Sequence, residues 1–210
     1  MNKLLLHEDF RAAAFDSRLE WFNPPKRWWL DARGPGLVIE PDGQTDFWQR
    51  THYGFSADNG HFLGLELQGD FVLSTEVRFQ PAHQYDQAGL MIRGDANCWI
   101  KTSVEHETEG RPQLGTVVTN NGYSDWSLQD SPVPEGALRL RITKNGADVL
   151  VQFSPAGEDP WQLMRVARLH WPDTVSLHAG LYACSPKAAG FRTEFAFLRV
   201  EPLPAPTPEP

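Results

Sequence analysis

The stretch from Tyr85 to His106, YDQAGLMIRGDANCWIKTSVEH, places chemically versatile side chains at alternate positions. Its two strand-like runs meet at a Gly-Asp turn, so we predict a β-hairpin in a half-buried sheet. One side of this hairpin is largely aliphatic. The other side carries amide, guanidinium, indole, ammonium and carboxylate groups, from Gln87, Arg93, Trp99, Lys101 and Glu105. These groups suit a polyhydroxylated or anionic ligand.

The same alternation predicts which side chains are buried. Four aliphatic residues of one parity are expected between two packed sheets: Leu90, Ile92, Ile100 and Val104. Lys101 and Glu105 have the opposite parity and are expected on the other face of their strand. Because a buried charge needs a partner, these two residues either pair with each other or bind a ligand, and both interpretations stay open.

Three tryptophans lie beside polar residues on predicted strands or strand ends: Trp48, Trp99 and Trp126. An indole face stacks well on the apolar C–H surface of a sugar ring. For any one of them, packing in the core or at its rim is the simpler explanation. The three together favour a sugar-binding platform.

The sequence shows no pattern for a metal or a cofactor, and we expect neither. The histidines have no HxH or HExxH spacing, and no DxDxDG calcium loop is present. Cys98 and Cys184 lie outside any CxxC spacing and are predicted to be free thiols.

The composition favours an all-β protein. The 210 residues include 17 Gly, 17 Pro, 8 Trp and 12 Phe, and about a dozen strand-like runs occur without a βαβ unit. We predict a jelly-roll sandwich of two antiparallel sheets, as a single domain over residues 1–202 with a flexible Pro-rich tail at 203–210.

The charge and the N-terminal segment limit the partners and the compartment. A formal net charge of -8 argues against nucleic acid and anionic membranes, because counterion release needs clustered Lys and Arg. The segment MNKLLLHEDF lacks the apolar run of a signal peptide, so a cytoplasmic location is expected. The oligomeric state is left open.

Six strings follow one another along the chain: TDFWQRTHYGFSADNGHFLG, GDFVLSTEVRF, YDQAGLMIR, WIKTSVEH, LGTVVTNNGYSDWS and GLYACSP. In this order they resemble the YesU-like domain family, which includes the fungal protein called regulation of enolase. The resemblance implies a concanavalin A-like lectin/glucanase fold and a domain of unknown function. It also implies signature positions at Asp46, Trp48, Asp86, Gln87, Arg93, Lys101, Glu105, Ser124, Asp125 and Trp126.

Concanavalin A-like glucanases carry two catalytic carboxylates on a Glu-x-Asp-x-Glu strand. Glu105, Glu107 and Glu109 have that spacing, but His106 and Thr108 lie between them and no Asp is central. Glu107 and Glu109 are therefore interpreted as solvated turn acids. No residue is assigned a catalytic role.

We predict a carbohydrate-binding protein that recognises a saccharide or sugar acid on the concave face of a sheet. One alternative is a sugar-active enzyme of the glycoside hydrolase kind, with Glu105 and either Glu76 or Asp125 as acid and base. The other is a regulatory partner of a metabolic enzyme. The candidate binding residues are Asp46, Trp48, Gln87, Arg93, Trp99, Lys101, Glu105, Asp125, Trp126 and Tyr182.

Overall fold

The computed structural model describes residues 4–34, 36–107, 112–133, 136–156, 160–171 and 176–203. Glu109 and residues 204–210 of the predicted tail lie outside these ranges. The strands within them are β1 (Leu6–Glu8), β2 (Glu20–Phe22), β3 (Arg27–Asp31), β4 (Gly36–Glu40), β5 (Phe47–Gln49), β6 (Ser56–Asp58), β7 (His61–Leu67), β8 (Phe71–Gln80), β9 (Gln87–Asp95), β10 (Cys98–Glu105), β11 (Gln113–Asn120), β12 (Tyr123–Asp130), β13 (Ala137–Asn145), β14 (Asp148–Pro155), β15 (Gln162–Arg168), β16 (Leu177–Cys184) and β17 (Arg192–Pro202).

Two large antiparallel sheets form the sandwich. The backing sheet runs in the order β15–β14–β13–β8–β17–β4–β3, with β1 paired to β17. The pocket sheet runs in the order β12–β11–β10–β9–β16–β7–β2. The predicted all-β sandwich is therefore confirmed. The described strands outnumber the predicted dozen because β1, β2, β5 and β6, of three residues each, are too short to show a side-chain period.

The main core lies between the two sheets and contains the aliphatic side chains that the alternation predicted. Leu90, Ile92 and Ile100 are 0 % exposed and Val104 is 5 % exposed. In the β9–β10 hairpin, Lys101 is opposite Met91 and Glu105 is opposite Gln87 on the other face of the sheet. The predicted division of this hairpin into two faces is confirmed.

A second buried cluster covers that other face of the pocket sheet, and we call it the aromatic floor. It consists of Phe47, Trp48, Phe62, Met91, Trp99, Val117, Tyr182 and Cys184. The two-stranded β5–β6 hairpin packs on this face, and the Phe47 ring meets the Trp99 and Tyr182 rings edge-on at 6.3 and 6.4 Å. Strands of the pocket sheet are consequently buried on both faces.

Simple alternation fails at β5. It places Asp46, Trp48 and Arg50 on one face, yet Phe47 and Trp48 both join the aromatic floor. Arg50 has a left-handed backbone (φ 55°), and its Nε donates to the Gly122 carbonyl at 2.8 Å. The strand ends there, so its side chains do not continue along one face.

Both cysteines are free thiols, as predicted, with Cys184 buried and Cys98 partly exposed. Among the described residues, no group of three or more His, Cys, Asp or Glu side chains is arranged to hold a metal ion. The described part of the chain also contains no helix long and apolar enough to span a bilayer.

Candidate functional site

A cavity of about 430 Å³ opens on the pocket sheet, within the range of roughly 300 to 1,000 Å³ that is usual for small-molecule sites. Strands β10 to β12 form its base with Lys101, Glu105, Val117 and Trp126. Segments outside those strands form the walls with Asp46, Trp48, Tyr53, Phe55, Tyr85, Gln87, Pro186 and Lys187. The cavity thus combines aromatic walls with ionisable groups at its base.

Six of the ten predicted residues line this cavity: Asp46, Trp48, Gln87, Lys101, Glu105 and Trp126. Trp99 and Tyr182 are fully buried beneath it in the aromatic floor. Their ring centroids lie 5.7 and 5.6 Å from Lys101 Nζ, so they contribute cation–π contacts rather than cavity wall.

Arg93 does not converge with the others. It lies two residues beyond Met91 on β9, roughly 7 Å further along the strand. Its guanidinium donates to Asp58 Oδ2 at 2.8 Å and to the Asp95 carbonyl at 2.7 Å, and it lies over the Phe22 ring. Arg93 lines a separate cavity of about 300 Å³ instead.

Asp125 also lies outside the cavity. It alternates with Trp126 on β12 and therefore points away from the Trp126 side of the strand. Its Oδ1 accepts a hydrogen bond from Arg165 Nη2 at 2.8 Å, and its side chain is 67 % exposed. The signature string placed Asp125 near the site in sequence, but the strand's alternation separates it in space.

Lys101 pairs with Asp46 rather than with Glu105. Positions four apart on a strand are separated by about 13 Å, which is too far for the pairing considered from the sequence. Lys101 is 2 % exposed, and its Nζ donates to Asp46 Oδ1 at 3.0 Å. The same oxygen accepts the backbone N–H of Phe47 at 2.8 Å. One oxygen of Asp46 therefore accepts two hydrogen bonds.

Glu105 is a buried carboxyl group that forms no ion pair with the described residues, although Lys101 acts on its pKa from further away. It is 4 % exposed, and burial raises its pKa to about 8, against the lowering effects of Lys101 and Trp126. Asp46 and Glu107 raise the pKa further through charge repulsion. The free protein therefore carries Glu105 mainly as the neutral acid at pH 7.

The Glu105 carboxyl group occupies space that only a glycine leaves open. A Cβ atom on Gly115 would lie 2.3 Å from Glu105 Oε2 and 3.5 Å from Trp126 Nε1. Trp126 Nε1 is buried beside the carboxyl group without a well-aligned acceptor among the described residues. The two groups are thus close enough to share a ligand atom.

Aromatic rings form a continuous wall around this base. The Trp48 ring meets Trp126 at 6.5 Å and Tyr53 at 5.5 Å, both edge-on, and Tyr85 meets Trp126 at 6.4 Å. At the rim, Tyr53 and Phe55 are 50 % and 47 % exposed. Rings that are open to solvent above a polar base are free to stack on a ligand.

Sequence reasoning missed the wall residues Tyr53, Phe55, Tyr85 and Lys187. Tyr53 and Phe55 flank Gly54 in a turn, where no strand period marks a side chain's direction. Lys187 follows the last residue of the GLYACSP string, and its Nζ lies 5.2 Å from the Tyr85 ring centroid. Tyr53, Phe55 and Tyr85 lie within the signature strings, and their aromatic side chains there were the available signal.

The loops around the cavity hold strained backbone. Gln44, Arg50, His52 and Tyr85 adopt left-handed φ angles of 64°, 55°, 61° and 71°. Each such non-glycine residue costs about 1 to 3 kcal/mol, and such strain gathers at functional sites. Here it shapes the loops that carry Asp46, Trp48 and the Tyr85 wall.

The comparisons with known proteins extend this picture. Residues 21–203 match the family described as protein of unknown function DUF1349. Regulation of enolase protein 1 of Saccharomyces cerevisiae is 36 % identical over 179 residues, which is 84 % of this chain and 85 % of the yeast protein. A crystal structure of a functionally unknown S. cerevisiae protein superposes with a TM-score of 0.80 and 34 % identity, covering 91 % of this chain and 98 % of the other.

More distant solved structures share the fold alone. The structure named Bacteroides ovatus xyloglucan PUL GH43B superposes with a TM-score of 0.73 at 18 % identity over 94 % of this chain. A xylan β-1,4-xylosidase from Bacillus halodurans gives 0.70 at 18 % identity over 93 %. This chain spans 39 % and 38 % of those two chains. Because the family match covers residues 21–203 and the yeast relative is 36 % identical, the chain belongs to the DUF1349 family of proteins of unknown function.

Proposed function

We propose that the cavity on the pocket sheet binds a saccharide. The observation that carries this proposal is the combination of solvent-open aromatic rings, Tyr53 and Phe55, with a buried polar base. Sugar rings present apolar C–H faces to aromatic side chains and hydroxyl groups to polar ones. The cavity offers both kinds of contact within about 430 Å³.

Two fold neighbours agree with a sugar ligand. One is named for xyloglucan, and the other is a xylan β-1,4-xylosidase. Each is a longer protein, so its own activity says nothing about the reaction of this chain. The regulatory alternative rests on the name of the yeast relative, and no feature of the cavity favours it.

Titration calorimetry with a panel of neutral and acidic monosaccharides and short xylan fragments tests the proposal. We expect Tyr53→Ala to weaken binding of the best panel sugar about tenfold, the size of one lost ring contact. Tyr123→Ala is the matched control, because Tyr123 is 58 % exposed and lies outside the cavity lining. Failure of every panel sugar to bind, or equal weakening in both variants, would contradict the proposal.

A second candidate is a sugar-active enzyme, and one observation favours it. Burial raises the pKa of Glu105 to about 8, and a second carboxyl group, Asp46, lines the same cavity. Acid–base hydrolysis of glycosides uses two carboxyl groups, one of them with a raised pKa. The partners considered from the sequence do not fit, because Glu76 is on the backing sheet and Asp125 pairs with Arg165.

A screen of aryl glycosides tests this second candidate. Hydrolysis by the parent protein, lost in both Glu105→Gln and Asp46→Asn, is the expected result for an enzyme. Panel sugars that bind without any turnover would leave the binding protein as the better description.

A further inference from the structure

The cavity offers more hydrogen-bond donors and positive charges than its paired carboxylate, Asp46, can satisfy. Asp46 already accepts from Lys101 and from the Phe47 backbone. Trp126 Nε1 has no well-aligned acceptor among the described residues. Lys187, an exposed residue of the lining, faces the Tyr85 ring. An anionic ligand group would therefore meet donors here.

We infer that the preferred ligand is a sugar acid of the uronate type, with its carboxylate received by Glu105 and Trp126 at the base and attracted by Lys187 at the rim. This inference rests on the proposed saccharide-binding function and names the class of sugar. The ring of the ligand lies against the Trp48, Tyr53 and Tyr85 wall.

The geometry at the base supports a shared carboxylate. A Cβ atom built on Gly115 would lie 2.3 Å from Glu105 Oε2 and 3.5 Å from Trp126 Nε1. The two side-chain atoms are therefore neighbours. Glu105 is 4 % exposed, and Trp126 is near enough to lower its pKa as a hydrogen-bond donor. A ligand carboxylate accepts both the Glu105 O–H and the Trp126 N–H, and charged acceptors form stronger hydrogen bonds than neutral ones.

The proton on Glu105 makes this recognition dependent on pH. Its pKa is raised to about 8 by burial, so the protonated fraction falls roughly tenfold between pH 7 and pH 9. Above pH 8 an ionised Glu105 repels the ligand carboxylate. The ionisable groups that face Glu105 from the surrounding segments are Lys101, Asp46, Glu107, Tyr85, Tyr182 and Cys184.

The test is titration calorimetry at pH 7 and pH 9 with D-glucuronate and D-galacturonate, each compared with its uncharged amide and its parent hexose. We expect a uronate to bind at least tenfold more tightly than its amide at pH 7, and to lose about tenfold in affinity by pH 9. The hexoses and amides keep their affinity across this range. In Glu105→Gln the ratio of uronate affinities at the two pH values falls to about 1.

A surface variant guards against a misfolded Glu105→Gln. Lys187→Met removes only an exposed cation and is expected to lower uronate affinity several-fold with no change for the hexose. Lys26→Met is the matched control, since its side chain is 84 % exposed and lies outside the cavity.

The outcomes separate the inference from the proposed function. Equal affinity for uronate and amide, or uronate binding that is unchanged at pH 9, overturns the inference and leaves saccharide binding standing. No binding of any probe overturns both.

Discussion

Two lysine–aspartate pairs of the described residues, Lys101–Asp46 and Lys144–Asp70, each contain a buried lysine but lie in different surroundings. At the base of the cavity, Lys101 is 2 % exposed and donates to Asp46 at 3.0 Å. At the end of strand β13 in the backing sheet, Lys144 is 5 % exposed and donates to Asp70 at 3.1 Å. The two pairs match in residue type, in burial of the lysine and in distance.

Their surroundings differ. Lys144 also donates to the Gly69 carbonyl at 3.0 Å, and Asp70 accepts the Gly146 N–H at 2.7 Å, so this pair ties the β7–β8 turn to the turn of the β13–β14 hairpin. Lys101 instead lies over two aromatic rings beside a cavity that also holds Glu105. The Lys144 pair thus satisfies turn backbone, whereas the Lys101 pair faces the open cavity in which we propose that a sugar binds.

The largest effect that distinguishes the pairs is expected from removing each lysine. Lys101→Met leaves Asp46, whose side chain is 17 % exposed, without its cation, and breaking such a buried pair costs about 4 kcal/mol. Lys144→Met should cost less, because the Asp70 side chain is 39 % exposed and stays solvated. Urea unfolding measures both losses.

Sugar binding by the same two variants sharpens the comparison. We expect binding of the best panel sugar to be lost in Lys101→Met, with circular dichroism confirming the fold, and to persist in Lys144→Met. Equal loss of binding in the two variants would show that Lys101 has no special place in the site.

Glu105→Gln is expected to have the next largest effect, and its sign depends on pH. The pKa of Glu105 rises from 4.5 in the unfolded chain to about 8 in the folded protein, so the folded protein binds the extra proton between these values. Stability of the parent therefore falls as pH rises from about 5 to 8. At roughly 1.4 kcal/mol per pH unit across the interval from 4.5 to about 8, the parent loses about 4 kcal/mol by pH 8, a loss that the variant escapes.

Thermal melting across pH 5 to 9 checks this expectation. Glu66→Gln, at an exposed position on β7, serves as the control with the same loss of charge. A parent melting temperature that rises between pH 5 and 8 would contradict the account of Glu105.

Gly115→Ala should have a smaller effect that is confined to the cavity. The new Cβ would lie 2.3 Å from Glu105 Oε2 and must displace that side chain, at a cost of about 2 kcal/mol. Gly94→Ala is the control, because its Cβ would meet neighbours only at 3.4 Å and beyond. Urea unfolding and sugar titration should show both stability and binding reduced in Gly115→Ala, and unchanged stability there would mean that Glu105 moves freely.

The smallest effect is expected from Asp70→Asn. The pKa of Asp70 is lowered, chiefly by the Gly146 N–H and then by Lys144, so its contribution is present above the unfolded pKa and lost as pH falls through the folded pKa. The Asn side chain still offers an acceptor to the Gly146 N–H, so the variant should lose only about 1 kcal/mol of unfolding free energy at pH 7. Sugar binding should be unchanged, and a weakened titration would break the distinction between the two pairs.

Alternation along long strands predicted much of this molecule. It predicted both faces of β9 and β10, because a buried sheet face forces apolar residues to every second position. It could not pair Lys101 with Asp46, since residues 55 positions apart meet only through the β5 loop.

The parts of the site that escaped prediction lie in loops. Tyr53 and Phe55 belong to a turn between two three-residue strands, where no period fixes the direction of a side chain. Arg93 and Asp125 were included because the resemblance marks both as signature positions, and Arg93 also because of its parity on the strand. The strand rise separates Arg93 from Lys101, and alternation turns Asp125 away from Trp126.

The most direct test of saccharide binding follows the indole N–H signals of the eight tryptophans in a nitrogen–proton correlation spectrum during titration with the best panel sugar. Trp48 and Trp126 line the cavity. Trp29 and Trp161 stack on Arg192 and Arg141 away from it. The account predicts saturable shifts for Trp126 and Trp48 with Trp29 and Trp161 unmoved. Signals of Trp126 and Trp48 that stay fixed while the sugar binds, or move no more than those of Trp29 and Trp161, would contradict it.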